Sequence, residues 1–149
     1  MTTTASEPES SSTWYLDSGC SNHMTGNRVW LVHFDARRKN KVRFADNRTI
    51  QSEGIGVILV KKRDGQQALL QNVLYVPTMQ TNLISMGQLL EKGFYMKMQN
   101  RTLEIFSATH KKVLSVPLSS NRTFQVKIES SQAQCLAVEH QNSSQDPWI

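Results

Sequence analysis

The sequence predicts an all-β domain with one short helix, closed or partly closed into a barrel. Three observations predict it. Short runs of β-branched, aromatic and other apolar residues recur along the chain, most of them stopped by turn-forming residues. One segment alone, residues 82–93, turns to helical spacing. Polar residues gather at the two ends and leave a single folded unit between them, residues 14–128.

The elements follow in order. Residues 1–13 are mostly Thr, Ser, Glu and Pro, which bury too little apolar surface to offset chain entropy, so they are expected to be disordered. Trp14-Tyr15-Leu16 is a short strand that stops at Asp17-Ser18-Gly19. Lys41-Val42-Arg43-Phe44-Ala45 alternates charged and apolar, the period of a half-buried strand, and ends at the turn Asp46-Asn47. Ile55 to Val60 is a β-rich run followed by a turn holding Asp64-Gly65, and Leu69 to Val76 returns until Pro77 stops it. Ser85 is a candidate N-cap, Met86, Leu89 and Leu90 share one helical face, and Gly93 is a candidate stop. Phe94–Met98 and Leu103–Phe106 read as a hairpin, and Lys112–Val116 and Phe124–Ile128 as further strands. Residues 129–149, rich in Ser, Gln and Asn, are expected to be a second disordered linker.

Composition narrows the function classes. Hydrophobic residues are 38% of the 149, low for a chain that is globular throughout, which agrees with polar ends around a smaller core. Two distant cysteines, Cys20 and Cys135, do not make a disulfide framework. No apolar run reaches the roughly 20 residues a membrane helix needs, and no leader-like stretch is visible, so a cytoplasmic protein without a membrane partner is expected. The net charge of +5 is mild. The basic runs Arg37-Arg38-Lys39-Asn40-Lys41 and Lys61-Lys62-Arg63 read as solvated loops. With aromatics at 7% and no stacking platform in view, nucleic acid is not an expected partner.

The sharpest chemical signal is Leu16-Asp17-Ser18-Gly19. An acid protease needs a carboxylate at the tip of a tight loop, followed by a small hydroxyl residue and a glycine whose amide can reach the carboxylate. Asp-Ser-Gly is also a common turn, so the tripeptide alone carries little weight. Cys20 and His23 have the C-x-x-H spacing that suits zinc. His33, His110, His140 and Cys135 are not paired at ligand spacing, so no metal and no cofactor is expected. A Cys20–His23 nucleophilic pair would lack a third, orienting group.

Read together, four blocks are more specific. Trp14 to Thr25 (WYLDSGCSNHMT) resembles the start of the protease domain of copia-type retrotransposon polyproteins, W-x-x-D-S-G-[AC]-[ST]-x-H-[MV]-[TS]. Phe44-Ala45-Asp46-Asn47 with Gly54 and Gly56 resembles that family's A-[DN]-[GN] and G-x-G stretches. Leu70 to Pro77 resembles L-x-N-V-L-Y-V-P, and Asn82 to Leu89 resembles N-L-[LI]-S-[VM]-x-[QK]-L. The resemblance implies a retropepsin-like barrel and an aspartic endopeptidase that cleaves its own Gag-Pol polyprotein, in the cytoplasm within virus-like particles. It implies Asp17, Ser18 and Gly19 as the catalytic loop. One chain supplies one carboxylate, so a homodimer would pair two copies of Asp17 around a shared proton and activate water. A flap over an extended peptide substrate would fall at residues 51–57, with Gly54, Ile55 and Gly56 against the peptide. The alternative for the two glycines is that they only bend a barrel strand. Cys20, Ser21 and Asn22 are candidates to line the cleft. Ser85 stands where retroviral enzymes have Gly, which leaves the packing behind the loop open. The linker 129–149 would lead toward a pre-integrase region. The competing expectation is a barrel of the same fold without turnover, acting as a structural or interaction module of the polyprotein.

Overall fold

The computed structural model describes residues 13–61 and 67–128, the side chains of Lys61 and Gln67 excepted. Apart from Thr13, the two polar ends lie outside the described residues, as do the Asp64-Gly65 turn and Cys135. The described chain is all-β with one short helix, as the sequence predicts. Its strands are β1 (Thr13–Asp17), β2 (His23–Thr25), β3 (Leu31–Asp35), β4 (Lys41–Arg43), β5 (Thr49–Gln51), β6 (Ile55–Lys61), β7 (Gln67–Tyr75) and β8 (Asn82–Ser85). Helix α1 (Met86–Glu91) follows, then β9 (Tyr95–Gln99), β10 (Thr102–Phe106), β11 (Lys112–Pro117) and β12 (Gln125–Lys127). A single 3-10 turn, Arg28–Trp30, precedes β3.

Seven strands form one sheet in the order β12-β1-β8-β2-β7-β6-β3. The order has two ends, β12 and β3, so of the closed or partly closed barrel expected, full closure is not found among the described residues. The physical reason is that both faces of the sheet are covered by other elements, so closure is not needed to bury them. Period-two alternation sends Val73 and Ile84 to one face and the neighbouring Leu74 and Leu83 to the other. The first face packs with Leu89 of α1 and with Phe94 and Ile105, so it lies under the three-stranded sheet β11-β10-β9. Trp14, fully buried there, stacks on Trp30 at 6.1 Å. The second face packs with Val42, Phe44 and Ile50 of the separate β4-β5 hairpin.

The centre of the sheet sets the site. β1 runs parallel to β8 with Asp17 opposite Ser85, while β2 runs antiparallel to β8 on its other side. Strands β1 and β2 are consecutive in sequence but flank β8. The loop 18–22 therefore has to cross the carboxyl end of β8, directly above Ser85.

Helix α1 has the expected caps. The Ser85 hydroxyl accepts from the Gln88 amide, and Gly93 sits at φ 93° just past the end. Gly93 N–H donates to the Leu90 carbonyl and Phe94 N–H to the Leu89 carbonyl, the paired bonds that close a helix at a glycine. Its buried face differs from the expected one. Leu90 is 56% exposed, and Gln88 is buried in its place beside Leu89. The carboxamide of Gln88 reaches three backbone groups, and that polar anchoring turns the helix.

The expected flap segment also lies elsewhere. Gly54, Ile55 and Gly56 are buried, and β6 is paired on both sides, with β3 and with β7. A Cβ on Gly54 would stand 2.2 Å from the Phe34 ring, and one on Gly56 would stand 3.1 Å from Leu31 Cβ. These glycines let β6 pass tightly against β3, which is the strand-bend alternative, and they offer no surface to a peptide here. Gly54→Ala is expected to lower unfolding stability by about 1–3 kcal/mol through overpacking against Phe34. Urea unfolding midpoints check this, and an unchanged midpoint would mean that Phe34 can move aside freely.

Candidate functional site

Asp17 ends β1 half-exposed, and Ser18 and Gly19 after it are exposed at the turn. The Gly19 amide donates to Asp17 Oδ1 at 2.7 Å, so the loop bends back on its own carboxylate. A Cβ at residue 19 would stand 3.3 Å from that same oxygen, which is why glycine suits the position. The three residues singled out as the catalytic loop therefore share one open turn, with the carboxylate fixed by a charge-assisted hydrogen bond.

The residues after the turn divide. Ser21 is exposed and Asn22 half-buried, with the Ser21 hydroxyl donating to Asn22 Oδ1 at 2.8 Å. Cys20 turns inward, 4% exposed, and packs with Met24, Val42 and Leu74. Its expected place on the cleft wall is thus corrected: an apolar thiol gains more from the second core than from the surface. Burial, with the Asp17 charge adding to it, pushes the thiol up to about 12, so it stays protonated and unreactive. It donates at 3.7 Å to the Asp17 carbonyl, a weak bond that closes the turn.

Below the loop lies a buried polar cluster. The Ser85 hydroxyl donates to the Cys20 carbonyl at 2.9 Å while accepting from Gln88 N–H at 3.1 Å. The Ser85 amide donates to His23 Nδ1 at 2.9 Å, and the His23 amide donates to Gln88 Oε1 at 3.0 Å. Gln88 Nε2 then reaches the carbonyls of Gln71 and Asn72 on β7. Beside this ring, Thr25 Oγ1 donates to Asn82 Oδ1 at 2.7 Å, and Asn82 Nδ2 donates to the Thr13 carbonyl. Gln88, Thr25 and Asn82 are neighbours of the loop that the sequence reading left without roles, and Ser85 was read as a helix cap and as a residue behind the loop, not as its hydrogen-bond partner. Their spacing from Asp17 carries no signal, because β8 reaches the loop only through the sheet order.

His23 is fully buried. With Nδ1 accepting from Ser85, its proton sits on Nε2, which finds no partner among the described residues. Desolvation, with the Lys92 charge adding to it, lowers His23 to about 3. Protonating Nδ1 would also set two N–H groups against each other. His23 is thus neither an acid-base group nor a metal ligand in this arrangement, since its accepting nitrogen is held by a backbone amide.

The loop also has a neighbour on its outer side. Cys20 forms an antiparallel bridge with Phe44, and Ala45 Cβ is 3.6 Å from the place of a Gly19 Cβ. The tip of the β4-β5 hairpin therefore stands against the Asp17 turn. Arg48 pairs with Asp46 at 2.7 Å, holds its carboxyl below the usual range, and lies over the Phe44 ring at 5.0 Å. The signal was the turn Asp46-Asn47, legible as a turn but not as a cover.

Comparison with known proteins adds one finding. Residues 14–94, more than half of the chain, match the family model described as Pol polyprotein, beta-barrel domain. No curated protein and no solved structure matches.

The depressed His23 pKa fixes a stability prediction with a sign. As pH falls below about 6.5 the unfolded chain takes up a proton that the folded chain refuses down to about 3. The contribution is therefore full above 6.5 and is lost on acidification through that window, at up to about 1.4 kcal/mol per pH unit. Between pH 6.5 and 4.5 few carboxylates titrate, so the slope there belongs mainly to His23. Urea midpoints should fall across this range, and His23→Asn, which keeps an acceptor near Nδ1, should flatten the dependence. A slope equal in both proteins would contradict the burial of a neutral imidazole.

Proposed function

The chain belongs to the Pol polyprotein β-barrel domain family, and from that premise we propose that it is the aspartic endopeptidase of a copia-type retrotransposon, acting as a homodimer on its own polyprotein. The observation that carries the reading is the Asp17 carboxylate, held at an open turn by the Gly19 amide with the β4-β5 hairpin tip beside it. Family membership alone reaches only as far as a polyprotein domain. The copia type rests on the sequence blocks from Trp14 to Leu89.

In this reading two chains meet about a two-fold axis through the Asp17-Ser18-Gly19 turns. Two adjacent carboxylates do not both ionise, so the pair holds one proton. The ionised member takes a proton from water as it attacks the scissile carbonyl. The protonated member polarises that carbonyl and later donates to the leaving amine. The substrate is an extended peptide, aligned by backbone hydrogen bonds as an added strand. In this reading the β4-β5 hairpin, whose tip stands beside the Asp17 turn, serves as the cover in place of the buried 54–56 segment. Ser21 and Asn22 remain surface candidates for contacts near the turn. The site chemistry asks for no metal and no covalent intermediate.

Expression of a longer polyprotein containing this domain tests the reading. Asp17→Asn should leave the precursor unprocessed, a loss on the order of 10²–10⁴-fold in cleavage rate. At low concentration the wild-type rate should rise more steeply than linearly with protein. Equal processing by wild type and Asp17→Asn would leave a module without turnover.

A further inference from the structure

We propose that Ser85, held by Gln88, is a positioning residue for the Asp17 carboxylate, acting through the backbone of Cys20. The inference rests on the protease reading above and goes beyond it by assigning residues that do not touch the substrate.

The argument is a chain of hydrogen bonds. Ser85 stands opposite Asp17 in the parallel β1-β8 pair, so its hydroxyl lies under the crossing loop. That hydroxyl donates to the Cys20 carbonyl at 2.9 Å. Cys20 then donates through sulfur to the Asp17 carbonyl at 3.7 Å, and the Gly19 amide between them holds Asp17 Oδ1 at 2.7 Å. The Cys20 carbonyl lies in the Cys20–Ser21 peptide plane, two planes along from the one that carries the Gly19 N–H. Anchoring it, with the Cys20 sulfur tied back to the Asp17 carbonyl, limits how far the short turn between them can rotate and so steadies the Gly19 amide. The hydroxyl is itself oriented. It accepts the Gln88 amide at 3.1 Å, which leaves its one proton for Cys20. Gln88 is tied to His23 and to the carbonyls of Gln71 and Asn72, so the helix start cannot drift without breaking contacts on β2 and β7. Ser85 and His23 are fully buried and Gln88 is 9% exposed, so water cannot substitute for a lost partner.

Ser85 could be only a helix cap. A cap alone would make stability depend on the hydroxyl and leave the carboxylate untouched. Two readouts separate these roles. The first is the Gly19 amide resonance in a 15N-labelled sample of the whole chain, followed from pH 7 to pH 3. Its shift reports the bond to the Asp17 carboxylate. In Ser85→Ala the shift should lose at least half its amplitude, and Ser85→Thr, which keeps the hydroxyl, should restore it. The second is cleavage of dye-labelled unfolded casein over the same pH range. Ser85→Ala should lower kcat at least tenfold with KM within threefold, and it should move the pH profile. Leu103→Val, in β10 and in neither of the two core clusters, supplies a control with a loss of melting temperature and wild-type kcat.

Ser85→Ala with wild-type Gly19 titration and wild-type kcat overturns the inference, even where its melting temperature falls. Failure of Ser85→Thr to restore the Gly19 shift, where that protein melts cooperatively, does the same. Casein cleavage that persists in Asp17→Asn removes the protease reading and this inference with it. A wild type that cleaves no casein leaves the Gly19 titration to decide.

Discussion

Strand β8 lies between two strands that are neighbours in sequence, and the loop joining them has to pass over its end. Much of the structure answers to that crossing. Strands β1 and β2 are short, so the loop cannot swing wide, and its backbone enters the interior beside Ser85. Buried backbone groups need partners. Of the six buried polar residues among those described, His23, Thr25, Ser52, Asn82, Ser85 and Gln88, all but Ser52 take part in hydrogen bonds around this crossing. The rest of the core is apolar. Polarity was therefore admitted to the interior mainly where the chain crosses itself, and there nearly every donor and acceptor is matched. His23 Nε2 is an exception at the crossing, a donor without a partner among the described residues, as is Trp14 Nε1 in the first core; burying such a donor costs about 1–3 kcal/mol.

How much of this the sequence showed depended on whether the signal was local. The alternation in β4, the apolar runs of β6 and β7, the hairpin β9-β10 and both caps of α1 could be read, because side-chain period and turn chemistry act over a few residues. Strands β2, β3 and β5 could not. β2 is three residues whose His23 and Thr25 are polar yet buried, since their partners come from β8 and α1. β3 carries a kink, with His33 at φ 53° and a register shift before Asp35, so its alternation is broken. Leu90 was assigned inward by helical spacing, but the bonds of Gln88 outweigh the burial of one leucine on a six-residue helix. The Asp17-Ser18-Gly19 turn was legible from its own chemistry. The support beneath it was legible only so far as the resemblance set Ser85 behind the loop; its hydrogen bonds were not, because Ser85 is 68 positions from Asp17 and nothing local marks the meeting.

The two sides of the turn differ in how firmly they are held. Below it, loop, strand and helix are bound by buried hydrogen bonds that water cannot exchange. Above it, β4 and β5 pair only with each other, and the hairpin meets the loop through the single Cys20–Phe44 bridge and the packing of Val42, Phe44 and Ile50. Few contacts and an exposed tip place the hairpin at the low end of local stability. On the proposed protease reading, that asymmetry would suit a fixed carboxylate beneath a mobile cover.

Gly54 and Gly56 then acquire a role different from the contact with a peptide first expected of them. They lie at the root of the hairpin, where the chain leaves β5 and joins the main sheet. Ser52 takes the Asn40 amide on its hydroxyl and gives its own amide to the Asn40 carbonyl, which pins the two legs together. Glu53 and Gly54 are bonded to Tyr75, and the Phe34 ring fills the space a Gly54 side chain would need. Phe34 is braced in turn by Tyr75 at 5.8 Å and by Arg28 over its face at 3.9 Å. Glycine here serves close packing, so the root is rigid. Any opening of the hairpin must arise beyond Ser52, in the ten residues from Lys41 to Ile50, of which Val42, fully buried in the second core, is the main anchor. Motion confined to that stretch would shift the hairpin tip relative to the open Asp17 turn without disturbing the strands that hold it.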